Sequence, residues 1–238
     1  MEPTLNRENT VIAACSSMLL HVEAAQKKME TDFPVAVLDR EYHSDPAKMR
    51  ELVIKTLESL PAEKENILVA MGFCGGSWDG IESPRRIVIP KADDCITMLL
   101  HTDDTPHLNL KQQGHMYFRD SDEGKYSMKG MKEEICRKYG TEFGTSVFGS
   151  WFASYTHADI IDTGAYDCYS LEFAREAQEN ADLIRCTLDY TQGSNLILEK
   201  LVSGRWDGQF VVKMPGDPVK KEDFTRGMEE EMAFAALF

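Results

Sequence analysis

The chain has 238 residues, 42% of them hydrophobic, which is enough to bury a full core, and a formal charge of −14. That charge argues against a nucleic-acid binder, whose surface must be positive to displace counterions from phosphates. No apolar run reaches the roughly 20 residues needed to cross a bilayer, and MEPTLNRENT lacks the basic and apolar regions of a signal peptide, so a cytoplasmic protein is expected. In that reducing compartment six cysteines do not read as a disulfide framework, and those outside the core are candidates for metal binding or catalysis.

Apolar segments alternate with helical ones from the start. TVIAA (10–14) reads as a strand, and SSMLLHVEAAQKKME behind it as a helix through Met18, Leu19, Val22 and Ala25. FPVAVL (33–38) is a second strand. DPAKMRELVIKTLESL is a second helix, with Asp45 as N-cap and Pro46 suited to the first turn. NILVAM (66–71) and RRIVIP (85–90) are the third and fourth strands, and a helix is expected to start at Asp93 or Asp94. Residues 102–157 read as an excursion around the aromatic segment HMYF, with two helices in MKGMKEEICRKYG and TSVFGSWFASY. The rhythm resumes with ADIIDTG as strand, YSLEFAREAQENA as helix, LIRCTL as strand, SNLILEKLVSG as helix and QFVVKM as strand. This pattern predicts one α/β domain over residues 1–219, a mostly parallel, Rossmann-like, doubly wound sheet covered on both faces. Residues 220–238 are left as a charged tail whose apolar end, AFAALF, is suited to docking on a second copy in a homo-oligomer.

Ligands of open α/β sheets bind beyond the carboxyl ends of the strands. Four successive strand ends here carry Cys15, His43, Cys74 and Cys95, the side chain types that hold zinc or, through thiolates, an iron–sulfur cluster. Cys74 lies in GFCGGSWDG (72–80), where Gly72, Gly75 and Gly76 give access to positive φ and leave the sulfur uncrowded for a cofactor. Amides of this loop and the helix start at Asp94 are expected to stabilise Cys74 and Cys95 as thiolates, and Asp94 to orient the ligands. Against this stands the ordinary use of free cysteine as a small core residue, and the absence of any CxxC pair. A solvent-facing helix cap is an equally natural reading of the segment after His43.

The remaining features carry less. IIDTGA (160–165) imitates an aspartic-protease signature, but its strand feeds a helix, so Asp162 is read as a strand-end residue lining a pocket. Phe148, Trp151, Phe152 and Tyr155 recur at helical spacing and read as core, as do Cys136 and Cys186. Cys168 is a reserve ligand. His101, His107 and His115 read as surface histidines, with a spare ligand or proton donor among them as the alternative. GFCGGSWDG lacks the Lys-Ser/Thr ending of a P-loop and no GxGxxG follows the first strand, so nucleotide binding is not indicated.

The AC at 14–15, HSDPAK from His43, GFCGGSWDGI, IPKADDCITMLL and NLILEKLVSGRWDGQFVVKMPG together resemble domain of unknown function family 1638, over about residues 10–219. The chain departs from that pattern at GHMYFRD, where relatives tend toward a tyrosine-rich segment, and at Lys91, where arginine is usual. The resemblance carries no settled activity. It gives weight to Cys15, His43, Cys74 and Cys95 as a set and, since relatives accompany corrinoid proteins and methylamine-type methyltransferases, points loosely to one-carbon metabolism. Three readings follow. The first is a metalloenzyme holding Zn²⁺ through Cys15, Cys74 and Cys95, with His43 as fourth ligand or base, that activates a thiol or water of a small-molecule substrate, including methyl transfer from a corrinoid. The second is a [4Fe–4S] enzyme with three cysteine ligands and an open iron. The third is a non-catalytic corrinoid- or metal-binding accessory of a methyltransferase.

Overall fold

A computed structural model describes residues 4–120 and 124–225. In chain order the elements are β1 Thr10–Cys15, α1 Leu19–Lys28, β2 Val35–Leu38, α2 Pro46–Ser59, β3 Asn66–Ala70, β4 Arg86–Pro90 and α3 Cys95–Leu100. There follow β5 His115–Phe118, α4 Met128–Tyr139, α5 Thr141–Trp151, β6 His157–Asp162, α6 Leu171–Ile184 and β7 Thr187–Gln192. The chain then continues through α7 Leu196–Ser203, β8 Phe210–Lys213 and α8 Lys221–Thr225. The fold is α/β with mostly parallel strands, and none of the described helices is long and apolar enough to cross a membrane.

Where the sequence reading expects one sheet, the chain forms two compact units, residues 1–110 with 195–238 and residues 111–194. In the first unit the order is β2-β1-β3-β4-β8, parallel except for β8, which runs antiparallel on β4. Every residue of β1 and β3 is buried, so both faces of this sheet are covered. Helices α1 and α3 pack against α7. From β1 the chain crosses first to β2 and then back to β3, and with right-handed crossovers that reversal puts α2 on the face opposite α1. The second unit is a three-stranded parallel sheet, β5-β6-β7, with α4, α5 and α6 closing a core that includes Phe118, Phe148, Phe152, Ile160, Ala181 and Ile184. HMYF was an irregular segment to the sequence reading. It becomes β5 because its register against β6 pairs four residues, from His115 with His157 to Phe118 with Ile160.

Several local expectations are met in detail. The Asp45 side chain caps α2 by accepting the Lys48 amide at 3.2 Å, and Pro46 opens the first turn, where a missing N–H costs nothing. Asp94 caps α3, accepting from Thr97 N at 2.9 Å. Others are corrected. Residues 183–186 of the expected strand LIRCTL extend or cap α6, whose apolar face continues through Ala177, Ala181 and Ile184 to a left-handed cap at Arg185, and β7 begins only at Thr187. Trp151, expected in the core, ends α5 with 56% of its surface exposed, while Phe148 and Phe152 are buried. Of the 220–238 tail, Lys221–Thr225 is helical, and the Phe224 ring packs on Phe73 with centroids 4.5 Å apart. AFAALF lies outside the described residues.

Candidate functional site

In the first unit the strand order reverses between β1 and β3, and a crevice at such a switch point is where open α/β sheets bind ligands. Cys15 ends β1 and is fully buried. Its Sγ lies 3.0 Å from Ser17 Oγ and 3.4 Å from His43 Nε2. His43 reaches it from a 3₁₀ turn, residues Arg40–Ser44, that follows the neighbouring strand β2. The Asp39 carboxylate caps this turn through Glu41 N at 2.9 Å, and Arg40 N donates to Ser16 Oγ at 3.0 Å, fastening it to the turn after β1. His43 therefore joins Cys15 and is not merely a helix cap, although the residue is exposed. Burial of Cys15 opposes ionisation. The hydrogen bond and positive charge of His43, with the Ser17 contacts, outweigh it and bring the thiol below its ordinary value.

Cys74 follows β3 across the glycine loop, and two backbone bonds seat it against the chain beyond β4: Phe73 N donates to Ala92 O at 2.8 Å and Cys74 N to Asp93 O at 2.7 Å. A Cβ on Gly72 would stand 2.6 Å from Asp94 Cα, so only glycine allows this approach. Cys95 is the first residue of α3, one position past Asp94, and is buried. The loop is left-handed at Gly75 (φ 68°) and Gly76 (φ 94°), as glycine permits, and also at Cys74 itself (φ 45°). For a residue with a Cβ that conformation costs about 1–2 kcal/mol. Glycine there would relieve it while adding about 0.4–1 kcal/mol of unfolded-chain entropy. Losing the partly buried thiol costs on the order of 1 kcal/mol, so the terms nearly offset and Cys74→Gly is expected to leave stability within about 1 kcal/mol of wild type, measured as the urea midpoint.

One electrostatic expectation is reversed. The Cys74 thiol is pushed well above its ordinary value, first by burial and then by the negative charges of Cys95, Cys15 and Asp94, with the Gly72 backbone opposing. The loop does not hold Cys74 as a ready thiolate, and α3, only six residues long, adds little dipole. The same interactions put the Cys95 and Cys15 sulfurs each within electrostatic reach of Cys74. As the side chains stand, no group of three or more His, Cys, Asp or Glu among the described residues is arranged to hold a metal ion. None of the six cysteines is in a disulfide. Asp94 is engaged as the α3 cap, and Asp93 beside it accepts from Thr97 Oγ1 at 2.5 Å.

The other candidates lie apart. Cys168 is buried in the core of the second unit, its thiol raised to about 11 by burial and by Asp162. Cys186 belongs to the same core. Cys136, expected there too, is half-buried on α4, with its sulfur 3.8 Å from Thr141 O and 3.7 Å from Thr145 Oγ1. Asp162 accepts from the Tyr169 hydroxyl at 2.8 Å. His101 is buried, its Nδ1 2.8 Å from Thr97 O and its Nε2 accepting from His107 N at 3.2 Å, so it serves the fold. His115 pairs with Asp159 at 2.5 Å and stacks on His157, within the second unit. Ser16 and Ser17 were not singled out in the sequence, yet hydroxyls directly after a strand-end cysteine were a legible signal.

Fold and site define a two-unit α/β protein whose first unit gathers cysteine-bearing loops at the carboxyl edge of a doubly wound sheet. The chain belongs to the family described as protein of unknown function (DUF1638), whose model matches residues 37–202. That span takes in His43, Cys74, Cys95 and the whole second unit and begins after Cys15. No curated protein and no solved structure matches the chain.

Proposed function

We propose that Cys15, Cys74 and Cys95, with His43, form the metal site of an enzyme acting on a small-molecule substrate. The reading rests on one observation: the bonds from Phe73 N to Ala92 O and from Cys74 N to Asp93 O set Cys74 beside the turn that carries Cys95, and Cys74 feels the charge of Cys15, which itself contacts His43. Three sulfurs and an imidazole suit zinc, or an iron–sulfur cluster on the thiolates alone. Enclosing an ion requires the side chains to turn inward from their present positions, and Gly75 and Gly76 after Cys74 carry no side chains to obstruct that. Bound Zn²⁺ would supply Lewis acidity toward a thiol or water, the chemistry of thiol alkylation and of methyl transfer from a corrinoid protein in the cytoplasm.

A second reading draws on the 3.4 Å contact between Cys15 and His43, a thiol and imidazole placed to work as nucleophile and base without metal. Elemental analysis of protein purified without oxygen separates the two. One equivalent of zinc supports the first. A brown iron-containing protein keeps the thiolate site but replaces zinc with a cluster. A metal-free protein that takes up no added zinc and is alkylated fastest at Cys15 leaves the second. Within the first reading, Cys74→Ser is expected to lose most of the metal and Cys136→Ser to keep it. Equal losses would remove the ligand assignment.

A further inference from the structure

The second unit has a cavity of about 330 Å³ at the carboxyl ends of β5 and β6, between the start of α4 and the first turns of α6. That is near the lower end of the range for small-ligand sites, about 300–1,000 Å³. It occupies the position in this parallel sheet where open α/β folds take ligands. We infer that the cavity binds a small alkyl-substituted ammonium ion.

Two observations of different kinds converge on a cation. The first is aromatic. The Tyr166 and Phe173 rings line the cavity and pack edge to face on each other with centroids 5.3 Å apart and planes at 64°, and the Tyr166 hydroxyl donates to Ile161 O at 2.7 Å, which fixes its ring. Ring faces carry negative quadrupole density and hold alkylammonium groups that are too weakly hydrated to prefer water. The cavity also touches Tyr126, but the Lys125 ammonium already lies 5.2 Å from that ring centroid, so the argument needs only the other two. The second observation is charge. The lining includes the carboxylates of Asp120, Asp167, Glu172 and Glu176 against the single guanidinium of Arg119. Glu172 and Glu176, one turn apart on α6, form no ion pair among the described residues.

An anion is the natural rival, because the cavity touches Ser170, which caps α6 by accepting from Phe173 N at 3.3 Å, and a helix start favours negative charge. Here Glu172 in that first turn already supplies it, and a second anion would face the remaining carboxylates.

Choline titrated into the full-length protein by calorimetry tests the proposal, alongside its neutral carbon isostere, in which a tert-butyl group replaces trimethylammonium. Choline is expected to bind saturably and at least about tenfold more tightly than the isostere. Phe173→Leu should weaken choline about tenfold. Glu176→Gln, at an exposed position where no core contact is lost, should weaken it several-fold and flatten its dependence on salt. Cys74→Ser should leave choline affinity unchanged, so this result and the metal assay stand or fall separately. Equal affinity for the isostere, tighter binding of acetate than of choline, or full affinity in Glu176→Gln would each overturn the assignment. If Phe173→Leu fails to fold, the Glu176→Gln and isostere comparisons decide.

Discussion

Gly72→Ala is expected to destabilise the first unit by about 3 kcal/mol, the upper part of the usual range for forcing extra atoms into a packed site. The added methyl would meet the Cα, carbonyl carbon and nitrogen of Asp94 at 2.6–2.8 Å, and backbone cannot swing aside as a flexible side chain would. Relief requires the glycine loop to lift away from the chain after β4, which breaks the hydrogen bonds that Phe73 N and Cys74 N make to Ala92 and Asp93. The metal content of Gly72→Ala should therefore fall together with the urea midpoint, although every proposed ligand is intact. A variant that keeps wild-type stability and metal would show that the approach of these two segments is not what assembles the site.

Lys200→Met should cost about 2 kcal/mol, on the scale of hydrogen bonds to a charged group. The Lys200 ammonium is buried, with its side chain 3% exposed, and it donates to Asp104 Oδ1 at 2.7 Å, to Gln209 Oε1 at 2.6 Å and to the Asp207 carboxylate. Gln209 in turn donates to Asp103 O and Thr105 O, and its backbone carbonyl accepts from Lys91 N, so one cation ties α7 to the end of the β4–β8 pairing where Pro90 faces Phe210. The estimate is held to about 2 kcal/mol because Asp104 and Asp207 keep access to water when the ammonium is lost. Burial works against the charged form of Lys200, but the hydrogen bonds and charges of Asp104 and Asp207 outweigh it and raise its pKa above the ordinary 10.5. A group protonated more firmly in the folded state contributes fully below its unfolded pKa and loses that contribution as pH rises through the folded one. The gap between wild type and Lys200→Met should accordingly be constant through neutral pH and shrink above pH 10.5, read by denaturation at a series of pH values.

Local chemistry was readable where one segment decides its own shape. The caps at Asp45 and Asp94, the apolar runs of β1, β3 and β4, and the left-handed glycines of GFCGG follow from propensities that act over a few residues. The cysteines at successive strand ends were legible for the same reason, since an apolar run announces where its strand stops. What the sequence left open depended on partners far along the chain. HMYF is too short and mixed to declare itself a strand, and becomes β5 only through its register on β6, which founds a second sheet. The direction of β8 was hidden because QFVVKM reads identically whether it pairs parallel or antiparallel, and β4 decided it.

At the site the division is the same. The amino-acid order by itself determined which residue types stand at the strand ends and how freely their loops bend, because both are properties of the local chain. Only the tertiary structure decided that His43 turns back to Cys15, that Gly72 lets the Cys74 loop lie on Asp94, and that mutual repulsion with burial raises the Cys74 thiol. Distances between groups remote in sequence, and the electric fields that fall off with those distances, exist only once the strands have been ordered side by side.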